Sequence, residues 1–161
     1  MDQVLFGLVF AAAIGTALVG GMFYAFSSFV MRALDALPAG HAVAAMNAIN
    51  RVVITPSFML VFAGTAVVCL GLAVAALLRW QDAASVLVLL ASLLYAAGCF
   101  GLTMAVNQPM NLRLATLAAG EAQAWWPAYL RGWLAWNHVR TAASVAAAVL
   151  FVAALLSLRQ G

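Results

Sequence analysis

Charged residues leave four long gaps in the chain, and these gaps predict its architecture. No charge lies between Val4 and Met31, between Val52 and Leu78, between Ala83 and Leu112, or between Thr141 and Leu158. About 20 apolar residues in a helix cross the roughly 30 Å hydrocarbon core of a bilayer. We therefore predict one all-α domain over residues 1–161, an integral membrane four-helix bundle with spans near 4–31, 56–78, 83–106 and 139–158.

The connections between the predicted spans are unequal in length. The short one is a tight turn at Arg79–Asp82, and the long ones are Arg32–Arg51 and Asn107–Val139. Short helices are predicted in both long connections, over Ala42–Asn50 and Met110–Ala119. Because proline cannot continue a helical hydrogen-bond ladder, we expect Pro109 to interrupt the chain and Pro56 to mark the beginning of the second span.

Composition supports a membrane protein. The chain is 68% hydrophobic and 7% charged, with a mean hydropathy of +1.10. Soluble domains carry about 25% charged residues, so a soluble monomer is excluded, and the high hydrophobicity excludes a disordered chain. The net charge of +3 comes from scattered arginines, so we expect membrane lipids and no nucleic acid as partners.

Polar residues are concentrated on one side of the predicted membrane domain. Four spans place both long connections on that side, and it receives all five asparagines, both histidines and five of the seven arginines. Three pairs share a helical face because their members are three or four residues apart: Asn47 with Asn50, Asn107 with Asn111, and Asn137 with Arg140. We expect them to converge on one pocket beside Tyr24 and Trp136; polar residues of an ordinary membrane interface are the alternative.

Aromatic residues follow the same side. Trp125, Tyr129, Trp133 and Trp136 fall near one helical stripe. Such a stripe is either an aromatic belt at the membrane interface or a wall for a flat aromatic ligand, since these rings offer a large contact area with few rotamers.

Four sequence blocks carry a further signal. They are Gly21-Met-Phe-Tyr-Ala-Phe-Ser-Ser-Phe-Val-Met31, Ala45-Met-Asn-Ala-Ile-Asn50, Asn107-Gln-Pro-Met-Asn111 and Trp136-Asn-His-Val-Arg140. In this order they resemble the recurring motifs of the anthrone oxygenase-like family of small four-helix membrane proteins. The family usually has Gln-x-Ile-Asn where this chain has Asn47-Ala-Ile-Asn50, a change that preserves an amide. The resemblance covers nearly the whole chain and implies oxidation of anthrones or related polyketides.

The implied chemistry needs a base, a group that stabilises an enolate oxygen, and an apolar slot. Histidine is the base suited to neutral pH, and we assign that role to His138, with His41 as the other candidate. Arg140 is expected to hold the oxyanion, helped by neighbouring amides. We expect no cofactor and no metal, because the histidines and acidic residues lack metal-ligand spacing.

Two functions follow from the sequence. The first is an oxygenase that binds a flat aromatic or polyketide-like substrate through Tyr24, Asn47, Asn50, Asn107, Asn111, Trp133, Trp136 and Asn137. The second is a non-catalytic membrane protein that binds a lipid, a small hydrophobic ligand or a partner subunit. A homo-oligomer is left open. We expect an integral protein of a bacterial inner membrane, and the arginine excess predicts cytoplasmic long connections and external termini.

Overall fold

The computed structural model describes residues 3–78 and 83–160, and these residues are helical apart from short connections. Four helices are long and apolar enough to cross a membrane, which confirms the all-α prediction and gives the architecture of an integral membrane protein. These four spans are Gln3–Asp35, Pro56–Leu78, Ala83–Thr116 and Ala119–Ser157. The turn expected at Arg79–Asp82 lies outside the described residues.

The helices extend further on the long-connection side than the charge-free gaps indicate. The first continues to Asp35 and the third to Thr116. The fourth is one helix, Ala119–Gln160, so the tryptophan-rich stretch belongs to it and it begins well before residue 139. Helical hydrogen bonds do not require apolar side chains, so a helix can leave the hydrocarbon region without ending.

Pro109 does not interrupt the third span, contrary to expectation. It lies in the first turn of the α-helical segment Gln108–Thr116, where a missing N–H leaves little unsatisfied. The preceding residues, Ala96–Gly101 and Thr103–Asn107, form π-helical turns. The first span contains another π-helical turn at Phe26–Val30. π-helical turns are often found at functional sites, and all three lie toward the long-connection end.

A connecting helix, Ala39–Val52, joins the first two spans. It follows Pro38 and buries Ala42, Val43 and Met46. The second span begins at Pro56, as predicted.

Two apolar clusters hold the helices together. The membrane core, which includes Val19, Phe62, Leu72, Tyr95 and Phe151, joins the four spans. The end cluster packs the connecting helix against the fourth span through Met31, Met46, Leu114, Trp126 and Tyr129, among others. Because the end cluster closes over the polar ends of the spans, the structure encloses space there.

Candidate functional site

A cavity of about 210 Å³ lies between the four spans and the connecting helix, at the long-connection end. Its polar lining residues are Asn50, Thr103, Gln108, Asn111 and Arg140. The remaining wall is apolar or aromatic, formed by Met22, Phe23, Phe26, Met46, Ile49, Val53, Ile54, Phe58, Met59, Phe62, Met104 and Trp133. Mostly apolar walls with a few convergent polar groups are typical of small-molecule sites.

Arg140 is the charged group of this cavity, and its side chain is 2% exposed. One guanidinium nitrogen donates to Thr103 Oγ1 at 3.1 Å and the other to Asn137 Oδ1 at 2.6 Å. The guanidinium carbon lies 4.1 Å from the Phe23 ring centroid and 5.1 Å from that of Trp133. Nε is buried and has no hydrogen-bond partner among the described residues. The cation is thus held in place, and one of its three nitrogens, Nε, has no partner among the described residues.

Asn137 positions the Arg140 guanidinium through hydrogen bonds. Its Nδ2 donates to the Phe23 carbonyl at 2.8 Å and to Ser27 Oγ at 2.7 Å, which orients Oδ1 toward the guanidinium. The Phe23 carbonyl belongs to the turn just before the π-helical turn at Phe26–Val30. The fully buried amide therefore ties the fourth span to the first and positions Arg140.

Asn111 supports the aromatic wall. Its Oδ1 accepts hydrogen bonds from the Tyr129 hydroxyl at 2.8 Å and from Trp133 Nε1 at 2.9 Å. Asn107, one helical turn away, donates to the Trp133 carbonyl at 3.2 Å. Both asparagines thus hold Trp133, whose ring lines the cavity opposite the apolar side chains of the other spans.

Several buried polar atoms lack hydrogen-bond partners among the described residues. They include Asn50 Nδ2, Asn47 Oδ1 and Asn107 Oδ1. Asn50 lines the cavity, whereas Asn47 and Asn107 do not. A buried donor without a partner costs about 1–3 kcal/mol, so a ligand oxygen that reached Arg140 Nε or Asn50 Nδ2 would relieve that cost.

The structure brings together most of the residues that the sequence predicted to converge. Asn50, Asn111, Trp133 and Arg140 line the cavity, and Asn107 and Asn137 bond to residues that do. Five of these six belong to the three predicted pairs, and Trp133 belongs to the predicted aromatic stripe. The remaining pair member, Asn47, does not line the cavity.

Three predicted neighbours of the pocket are misplaced. Tyr24, Trp136 and His138 are exposed, and none of them lines the cavity. The reason is helical geometry: successive residues turn by about 100°, so the neighbours of Phe23 and Asn137 face away when those residues face inward. His138 is therefore not positioned as a base for a ligand in this cavity, and the exposed His41 is not either.

Sequence reasoning missed Phe23, Phe26, Thr103 and Gln108. Three of these four lie inside blocks singled out by their motifs: Phe23 and Phe26 in Gly21–Met31, and Gln108 in Asn107–Asn111. Thr103 had a weaker signal as a polar residue near the end of a span. The π-helical turns that rotate these residues relative to a regular helix leave no clear sequence pattern.

The acidic side chains that the structure describes are engaged elsewhere. Asp35 accepts from Trp126 Nε1 at 3.3 Å, and Glu121 accepts from the Ala118 N–H at 3.3 Å. Residues 3–78 and 83–160 contain no group of three or more His, Cys, Asp or Glu side chains that could hold a metal ion. The site thus offers a fixed cation, a free amide donor and aromatic walls, which suit a flat molecule bearing a negative oxygen.

The fold and the cavity define a class of protein: an integral membrane protein whose four long helices surround a cationic cavity near one end. Residues 58–150 match the family model described as anthrone oxygenase. Because this match covers more than half of the chain, the protein belongs to that family, and the resemblance seen in the sequence is confirmed. No curated protein and no solved structure gives a significant match.

Proposed function

We propose that this protein is a membrane-embedded oxygenase that oxidises a flat aromatic, polyketide-like substrate in the cavity around Arg140. The family match supports an oxygenase-like role. The aromatic lining supports a planar substrate, because Phe23, Phe26, Phe62 and Trp133 line the cavity and aromatic rings offer large flat contact areas.

The observation that carries the proposal is the state of Arg140. The residue is buried in a membrane-spanning helix, where a charged side chain costs about 2.5–3.5 kcal/mol on the insertion scale. Its hydrogen-bond partners, Thr103 and Asn137, are neutral. A buried cation held by neutral groups attracts an anion, and the anion of an anthrone is an enolate with its charge on oxygen.

The reaction that fits this site needs only dioxygen as co-reactant. Loss of a proton from the substrate CH₂ gives a carbanion whose charge is delocalised onto the ketone oxygen, near the Arg140 guanidinium. The carbanion passes one electron to dioxygen, and the resulting carbon radical and superoxide join through a C–O bond. The peroxide takes up a proton, the remaining C–H proton leaves, and the O–O bond breaks. One CH₂ and one O₂ thus become one C=O and one water.

Arg140 and Asn50 would act by stabilising the enolate, which is the step that makes the substrate reactive toward dioxygen. Preorganised donors at a developing oxyanion are worth about 2.7–4 kcal/mol in other enzymes. Since the described lining residues include no histidine, aspartate or glutamate, we assign the departing proton to water.

The buried cation of Arg140 also favours a second candidate function. Because the described lining residues include no side chain that acts as a base near neutral pH, the cavity can bind an anionic lipophile without transforming it. The alternative is therefore a non-catalytic membrane protein that binds a lipid or another small hydrophobic ligand with a negative oxygen at Arg140.

Dioxygen consumption by purified protein in lipid nanodiscs tests the proposal, with anthrone as the probe. We expect anthrone-dependent dioxygen uptake with stoichiometric anthraquinone formation, and loss of both in Arg140→Met. Arg131→Met is the matched control, since Arg131 is an exposed arginine of the same helix. Anthrone binding without dioxygen uptake would favour the second candidate, and no binding would contradict both for this class of ligand.

We further propose that the protein lies in a bacterial inner membrane with its long connections in the cytoplasm. Arginines flanking the spans support this orientation. Arg140 is buried in the protein and does not count toward it, so the long-connection side keeps Arg32, Arg51, Arg113 and Arg131, against Arg79 and Arg159 on the other.

A further inference from the structure

The cavity has an apolar, exposed side. Of the side chains that line it, Ile54, Met59 and Met104 are exposed, at 63%, 38% and 52%. Met59 belongs to the second span and Met104 to the third, while Ile54 lies two residues before the second span. We expect exposed apolar side chains on membrane-spanning helices to face lipid. The cavity therefore has an apolar, exposed border between the second and third spans.

The side facing the long connections is covered. The connecting helix contributes Met46 and Ile49 to the cavity wall. The buried side chain of Met46 belongs to the end cluster that packs this helix against the fourth span. A lipophile dissolved in the bilayer thus meets a flexible apolar border, whereas a molecule dissolved in water meets a packed helix.

The volume of the cavity limits how much of a ligand it can enclose. A cavity of about 150 Å³ accepts benzene, and sites for drug-sized ligands occupy about 300–1,000 Å³. The 210 Å³ of this cavity thus encloses a small ring system, and a larger ligand must extend beyond the wall. Methionine side chains adapt readily to different ligand shapes, so Met59 and Met104 are suited to line such an opening.

We propose that the ligand enters sideways from the bilayer, between the second and third spans, through an opening formed by Ile54, Met59 and Met104. Its oxygenated ring is bound at Arg140, and the rest of its apolar body extends through the opening toward lipid. The ligand class is then a membrane-dissolved lipophile with one ionisable oxygen at a ring. The identity of this class rests on the proposed function, whereas the route does not.

A lipid-soluble aryl diazirine tests the route without assuming a natural ligand. The protein is reconstituted into liposomes, the probe is photolysed, and labelled residues are located by mass spectrometry. We expect labelling of buried cavity residues, Phe62 and Trp133, in addition to lipid-facing ones. Met59→Trp and Met104→Trp fill the opening and should each reduce this internal labelling about tenfold. This is the low end of the change in binding that one extra methylene causes in an apolar pocket.

The matched control is Leu93→Trp, because Leu93 is 50% exposed on the same span as Met104 and does not line the cavity. Its internal labelling should equal that of the unmodified protein. The lateral route would be overturned if the unmodified protein showed no internal labelling. It would also be overturned if the two opening variants showed as much internal labelling as the unmodified protein. Competition by anthrone is a separate readout: if anthrone fails to reduce internal labelling while the opening variants do, the route stands and the proposed substrate class fails.

Discussion

Replacing Arg140 with methionine should weaken ligand binding roughly 10- to 150-fold while leaving the protein folded. The side chain is similar in length and apolar, so it fills the space between Phe23 and Trp133 without the charge. What the cavity loses is the cation and its free Nε. Ligand binding and the free energy of unfolding are measured separately, and we expect a large change in the first and a small change in the second.

The contacts of the guanidinium determine how Arg140→Met changes the free energy of unfolding. Methionine removes a membrane-buried charge that costs about 2.5–3.5 kcal/mol. It also removes two side-chain hydrogen bonds, to Thr103 and Asn137, each worth about 0.6 and at most about 1.7 kcal/mol inside a membrane. The contact with the Phe23 ring contributes roughly 0.5–2 kcal/mol. The gain of about 2.5–3.5 kcal/mol is set against losses of about 1.7–5.4 kcal/mol, so we expect the free energy of unfolding to change by less than about 3 kcal/mol.

The binding estimate comes from the bond that Nε would make to a ligand oxygen. A hydrogen bond to a charged group is worth about 1.5–3 kcal/mol, which corresponds to a roughly 10- to 150-fold higher Kd. Arg140→Lys keeps the charge but not the planar fork. It loses the arrangement in which two nitrogens of one planar group bond to Thr103 and Asn137, so it should also weaken binding while leaving membrane insertion intact.

The assay measures anthrone binding to protein in nanodiscs under argon, so that binding is separated from oxidation, together with unfolding by SDS titration in mixed micelles. Arg131→Met controls for the loss of an arginine from the same helix and should leave binding unchanged. Binding by Arg140→Met within about threefold of the unmodified protein, a difference of less than about 0.7 kcal/mol, would show that the cation does not anchor the ligand. Global unfolding of that variant would instead refute the stability argument.

Three further predictions concern the scaffold and its orientation. Asn111→Leu deprives two ring donors of their shared acceptor and should lower the free energy of unfolding by about 2–5 kcal/mol in the SDS titration; unchanged stability would show that neither bond matters. A Cβ at Gly98 would lie 2.8 Å from Ala143 Cβ, whereas one at Gly71 has nothing within 4 Å. Gly98→Ala should therefore destabilise by about 1–3 kcal/mol and Gly71→Ala should stabilise by up to about 1 kcal/mol, so equal effects would contradict close packing of the third and fourth spans. Alkaline phosphatase fused after Gly161 should be active, because we place that terminus outside the cytoplasm, and an inactive fusion with active β-galactosidase at the same point would reverse the orientation.

The number and class of the helices could be predicted because charge is expensive in lipid. A chain with so few charged residues must keep them out of the hydrocarbon core, so charge-free gaps mark the spans. The same rule says nothing about where a helix ends once it leaves the lipid. The fourth helix begins at Ala119 because Trp126 and Tyr129 pack in the end cluster, and this tertiary contact has no signature in hydropathy.

The candidate site could be predicted in part because pairs of residues three or four apart share a helical face. That rule correctly brought Asn107, Asn111, Asn137 and Arg140 to one region. His138 was included because it lies in the motif Trp136–Arg140, and Trp136 because it follows the aromatic stripe. Both adjoin the buried Asn137, and neighbouring residues on a helix point to different faces, so neither lines the cavity.

The role of Arg140 is explained better by a ligand than by folding. The energetic estimate gives the fold little net benefit from a cation at this position, since a neutral side chain of the same length would pack there at similar stability. A buried ionisable residue in a membrane span is a functional hypothesis for this reason. Asn137 and Thr103 orient the guanidinium without neutralising it, and Nε is left without a protein partner among the described residues. What only arginine adds to this cavity is a positively charged donor in an apolar, aromatic space, and a planar molecule with a negative oxygen is the ligand that uses both.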